Sequence, residues 1–288
     1  MRTVKVFGCL LAALSLIVPF SLIAQEDNMM TESGQKIKSQ PRDAIYKTNL
    51  GERMPLAHNH VQERDVLWEK RIWREIDVKE LRNHHFSYEK RHFVSILFDA
   101  VIKGDITAYS AVDDEFTQIF SSKELNATIN RCDTIQITDE VTGMVRDVPV
   151  MDEFNPNAVT RFRIKEVTYF DSKLSRMNTR ILGIAPIMNR YDNSGNFIAS
   201  APVCWFYYDE LRPVLAKEAM FSSNSDTKNL TWDDVFESRI FASYITKESN
   251  VRDVRLQDVY SGVDILHESD KIKEGIRNYE ADLFSEGN

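Results

Sequence analysis

Residues 161–217 read RFRIKEVTYFDSKLSRMNTRILGIAPIMNRYDNSGNFIASAPVCWFYYDELRPVLAK, and this stretch decides the fold. Val167, Tyr169 and Phe170 lie in a first β-favouring run. Arg180 to Met188 makes a second, more apolar run, and Val203 to Tyr208 a third. β-Branched and aromatic side chains pack well on a pleated surface, so three neighbouring strands are expected. Asp192-Asn193-Ser194-Gly195-Asn196 supplies the turn chemistry between the second and third. The stretch reads as the core of a sheet.

Working outward, the N-terminus differs from everything after it. Arg2 and Lys5 precede an uncharged, largely apolar run from Val6 to Ile23, broken by Pro19. Ala24 then meets the polar Gln25-Glu26-Asp27. This pattern reads as a secretory signal peptide over 1–24, cleaved between Ala24 and Gln25. Gly8-Cys9 stands before the apolar run, where a lipid-acceptor cysteine does not belong. The remaining chain carries 34 Lys+Arg against 44 Asp+Glu, a net charge of −10. That balance argues against a general nucleic-acid surface. Cys132 and Cys204 remain; an exported compartment permits a disulfide, and two buried free thiols fit as well.

Residues 25–62 form a polar arm with no apolar period, expected to be disordered in isolation. From there to 284 a single α+β domain is expected, a mostly antiparallel sheet with flanking helices. Helices are expected over 65–81, from Trp68, Ile72 and Ile76 at i, i+4, i+8, and over 91–103, closed by Gly104. Ser121 with Glu124 offers a capping box for a helix to about Arg131. Cys132–Thr138 and Val145–Val150 alternate like a hairpin, and Ile106–Tyr109 reads as a short strand. Two more helices are expected over 231–247, capped by Thr231 with Asp234, and over 263–284.

The chemistry-bearing residues lack the spacing of a mechanism. There is no phosphate-binding Gly-rich loop, no dinucleotide fingerprint, no G-x-S-x-G and no H-E-x-x-H. His58-Asn59-His60 and His84-His85 stand without a metal-binding frame. Asp113-Asp114-Glu115 reads as a turn or cap, because consecutive acids point in different directions. No catalytic residue, cofactor or metal is assigned, and the chain reads as a non-enzyme. Four Trp, sixteen Phe and ten Tyr exceed what a few short strands need inside. Aromatics and Arg are enriched at interfaces.

Taken in order, several segments resemble the GldN/PorN proteins of the type IX secretion and gliding-motility machinery of Bacteroidetes. They are Glu63 to Arg74, Phe162 to Glu166, Ile181 to Pro186, Trp205 to Tyr208 and Leu211 to Lys217. Thr231 to Phe236, Tyr244 to Asn250 and Glu268 to Lys273 continue the match, which spans roughly residues 62–284. Relatives tend to be proline-rich before Glu63, where this arm has only Pro41 and Pro55.

The resemblance implies a non-enzymatic periplasmic subunit. It implies assembly with itself and with an outer-membrane lipoprotein of PorK/GldK type, into a ring on the inner face of the outer membrane. That ring would engage an inner-membrane motor of the PorL–PorM (GldL–GldM) type, with no direct membrane span and no nucleic acid. Trp68, Arg71, Arg74, Arg163 and Arg212 are the candidate partner contacts. A periplasmic binding module for exported cargo or glycan, with an aromatic pocket near Trp205, is the alternative. A hydrolase whose triad is scattered along the chain is a third.

Overall fold

The computed structural model describes residues 49–138, 145–152, 154–191, 196–221 and 230–286. The cleavage site at Ala24 and Gln25, and residues 25–48 of the arm, lie outside these. In chain order the elements begin with β1 (Val66–Asp77), α1 (Phe93–Lys103), β2 (Ala108–Ser110), β3 (Ile119–Phe120) and α2 (Ser122–Ile129). Then come β4 (Arg131–Thr138), β5 (Val145–Asp152), β6 (Val159–Asp171), β7 (Arg176–Tyr191), β8 (Phe197–Pro202) and β9 (Cys204–Tyr207). The chain closes with α3 (Tyr208–Leu215), α4 (Trp232–Glu237), β10 (Tyr244–Glu248), α5 (Leu256–Val259) and α6 (Val263–Glu286).

One antiparallel sheet runs β10-β1-β6-β7-β9-β2-β3, and β8 pairs with the end of β7. β4 and β5 form a separate hairpin, as their alternation predicts; its turn at 139–144 lies outside the described residues. The fold is therefore α+β around a mostly antiparallel sheet, and the 161–217 stretch lies at its centre.

The helix expected over 65–81 is instead strand β1, paired to β6 from Trp68↔Phe170 through Asp77↔Arg161. A spacing of four residues is slightly over one helical turn, but it is also two strand periods, so Trp68, Ile72 and Ile76 share a face either way. The sheet wins because β1 is flanked on both sides. β10 and β6 satisfy both of its edges, and side chains on both of its faces are buried. The helix expected over 231–247 is shorter. α4 ends at Glu237, Arg239 takes a left-handed conformation (φ 52), and the chain re-enters the sheet as β10. Tyr244, Ile245 and Thr246 favour that extended form. β8 was not anticipated.

Other expectations are met. Ser121 and Glu124 form a reciprocal capping box for α2, and Thr231 and Asp234 one for α4. Gly104 closes α1 in the left-handed region, φ 81.

The inner face of the sheet packs under α1, α3 and α4. Ile76, Phe162, Ile164, Ile184 and Phe206 meet Phe93, Leu97, Leu211, Trp232 and Phe236, all buried. Phe93 and Trp232 approach to 4.4 Å between ring centroids. Each such side chain contributes about 1.5–3 kcal/mol of burial. Trp73, Trp205 and Trp232 are all buried in this chain, so most of the indole surface serves the fold. α6 covers the β10 edge. Ser269 accepts from the Ile245 amide at 2.8 Å, and Tyr279 stacks on Trp68 at 4.8 Å. Cys204 is a buried free thiol, so the Cys132–Cys204 bridge is not formed, and burial pushes that thiol well up from its ordinary range.

Candidate functional site

Strands β1 and β6 alternate sharply. Phe162 and Ile164 point to the helices, while Arg161, Arg163 and Lys165 point to the other, outer face. Two cross-strand rows result. Lys247, Trp73, Lys165 and Gly183 lie side by side across β10, β1, β6 and β7. The next row sets Tyr244, Glu75, Arg163 and Ala185 beside one another.

Glu75 is nearly inaccessible, yet it is the focus of three groups. Arg163 reaches it through Nε at 3.1 Å and Nη2 at 2.7 Å, Arg161 at 2.7 Å and the Tyr244 hydroxyl at 3.2 Å. Burial, then the neighbouring Glu75 carboxylate, pushes the Tyr244 phenol up, so it stays a donor. One carboxylate thus answers two guanidiniums.

A strap between β2 and β3 crosses this face. Phe116 adopts φ 57 and lays its ring on Gly183, where an added Cβ would sit 2.6 Å from Cζ. Tyr109, Trp205 and Tyr207 surround that ring edge-on. The Trp73 indole donates to Asp114, while Lys165 donates to the Asp114 carbonyl at 2.6 Å and Glu115 at 3.1 Å. Asp113 caps the strap's own turn by accepting from the Glu115 amide and Thr117. The acidic run is a turn, as expected, and its last two acids are counter-ions for a buried lysine. Beside the strap an open pocket of about 290 Å³ is lined by Trp73, Trp205, Arg163, Thr246, Lys247 and Asp253, among others.

The five candidate contacts are not brought together. Trp68 is half-buried on the helix face against Tyr279, and Arg71 is exposed on the outer face. Arg74 is tied to the inaccessible Glu166, which Arg239 also holds at 2.8 Å. Arg163 belongs to the Glu75 cluster. Arg212 is buried between α3 and α4, with Nε 2.9 Å from Asp233. Tyr208 joins that pair through Asp233 and Glu237. Burial raises the Asp233 carboxyl while Arg212 pulls against it. Sequence reasoning missed Glu75, Lys165, Lys247, Phe116 and Gly183. The alternation Arg161-Phe162-Arg163-Ile164-Lys165 was the available signal for three cations on one strand face.

Among the described residues no group of three or more metal-binding side chains converges, and no helix is long and apolar enough to cross a membrane. A family model described as "Gliding motility associated protein GldN" matches residues 61–285. The match covers nearly the whole described body, from before β1 to the end of α6. No curated protein matches the chain. The chain belongs to the GldN family, a gliding-motility-associated family.

Proposed function

We propose that this GldN-family chain is a non-enzymatic periplasmic structural subunit of the type IX secretion machinery. In this reading it assembles with itself and with an outer-membrane lipoprotein of PorK/GldK type into a ring that supports secretion and gliding. The ring faces an inner-membrane motor of PorL–PorM (GldL–GldM) type, and the chain reaches the membrane through its lipidated partner. The observation that carries the reading is the extent of the family match, which takes in the whole sheet and its helices instead of one motif.

The use of charge supports it. Glu75, Glu166 and Asp233 are each tied to guanidinium groups between elements of the fold, which braces a scaffold. The test is size-exclusion chromatography and negative-stain imaging of the mature chain with and without the lipoprotein. A large stable particle on co-expression is expected, with the chain alone unstable or aggregating. A well-behaved monomer indifferent to the lipoprotein would overturn the reading.

A further inference from the structure

The outer face balances its charge in an unusual way. Lys165 and Lys247 have side chains only 3% and 12% exposed, and Arg163 is also largely withdrawn from water. The sheet itself supplies them a single buried carboxylate, Glu75, which is already shared by Arg161 and Arg163. The rest of the counter-charge comes from loops. Glu115 answers Lys165 from the strap, and Asp253 answers Lys247 from the turn before α5.

Asp253 is the most exposed of these carboxylates. Its side chain is 81% exposed and its backbone is left-handed (φ 53), while the hydrogen bond from Lys247 holds its carboxyl below the ordinary range. An exposed carboxylate adds little net stability to a pair, because water solvates it as well as the lysine does. Lys247, in contrast, has lost most of its water and lies 4.2 Å from the centre of the Trp73 ring. A buried ammonium without a partner is costly. Arg255 stands beside it on the pocket wall.

The pocket wall sets Arg163, Lys247 and Arg255 against Asp113, Asp114 and Asp253; Asp113 is engaged by its own turn and Asp114 by Trp73 and Lys165, which leaves Asp253 facing Lys247. We propose that this pocket binds a carboxylate group from outside the chain at Lys247, and that Asp253 is its internal substitute. The incoming carboxylate takes Lys247 from Asp253, which swings to water at small cost. A free dicarboxylate and an acidic peptide side chain share this chemistry. The proposal does not depend on ring assembly.

The test titrates the full chain, alone or co-purified with its lipoprotein partner, with glutarate and separately with acetyl-Asp-Glu-Phe-amide. Tryptophan fluorescence is the readout, at constant ionic strength, with glutaramide as the uncharged control. Saturable binding of either acid, absent for glutaramide, is expected; glutarate alone points to a small molecule and the peptide alone to a protein segment. Lys247→Met should weaken binding by about tenfold, the worth of one charge-assisted hydrogen bond. Asp253→Asn should tighten it, since the internal competitor is gone; a residue that merely holds the loop would not do so. Absence of saturable binding overturns the proposal. So does unchanged or weaker binding in Asp253→Asn, a variant at an exposed position whose folding is checked by its melting curve.

Discussion

The Phe116 ring rests directly on Gly183: a Cβ at position 183 would lie 2.6 Å from Cζ, 2.8 Å from Cε1 and 3.1 Å from the Phe206 carbonyl oxygen. The strap is therefore seated by the absence of a side chain. Gly183→Ala must push the ring out, at a cost of about 1–3 kcal/mol for overpacking. Phe116→Ala loses the aromatic box but leaves room for the new methyl. The double variant should be destabilised by less than the sum of the two, as measured by urea unfolding. Additive effects would mean that ring and glycine do not interact.

Arg212 tests the boundary between folding and assembly. It is buried with Asp233, and removing one partner of a buried pair costs about 3–5 kcal/mol by leaving a charge unpaired. Arg212→Met should lower the melting temperature sharply. Arg212→Met combined with Asp233→Leu should recover part of the loss. A single variant that melts like the parent, yet fails to assemble, would return Arg212 to the role expected of it from sequence.

His85 gives the molecule an acid-sensitive element. Burial lowers its imidazole from 6.5 to about 4. Nε2 is enclosed without a hydrogen-bond partner, and the ring packs 5.5 Å from Trp232. The unfolded chain takes up the proton first, so this contribution is complete above pH 6.5 and is lost as pH falls through 6.5 toward 4. His85→Leu should flatten that part of the melting-temperature profile. A profile parallel to the parent's would exclude His85 as the cause.

The capping box of α4 is the simplest case. Thr231 Oγ1 accepts from the Asp234 amide at 3.3 Å, and the Asp234 carboxylate accepts from the Thr231 amide at 2.9 Å. Thr231→Ala should cost about 1 kcal/mol, and Thr231→Ser only a fraction of that. Equal losses in the two variants would assign the effect to the threonine methyl instead of the hydroxyl.

Some of this was legible in the residues alone. The three runs of 161–217 each became strands, because β-branched and aromatic side chains suit a pleated surface; the turn read at Asp192–Asn196 falls on 192–195, outside the described residues, and is followed by β8 before the third run. Both capping boxes and Gly104 act locally, so their sequence signature is complete in four or five residues. β1 was misread because a spacing of four fits both periods, and only pairing with β6 and β10 decides between them. The pocket was hidden for another reason. Its walls come from β1, the strap, β6, β9, β10 and the turn before α5, and no local pattern records that Lys247 will lie against Trp73. Arg163 and Arg212 looked like surface charges, since nothing nearby in sequence reveals Glu75 or Asp233 as their partners.

The buried Glu75 also bears on the order in which the chain can fold. Its guanidinium partner Arg163 lies 88 residues further on, and Tyr244 lies 169 residues further on. Contacts of such long range form slowly, because the intervening loops must be closed before any pairing is gained. β1 comes first among the strands but completes its edges last, once β10 is present. A chain stalled or truncated before Tyr244 leaves one edge of β1 bare and Glu75 short of a donor. Completion of the native sheet thus waits on the final fifth of the sequence, where β10 lies.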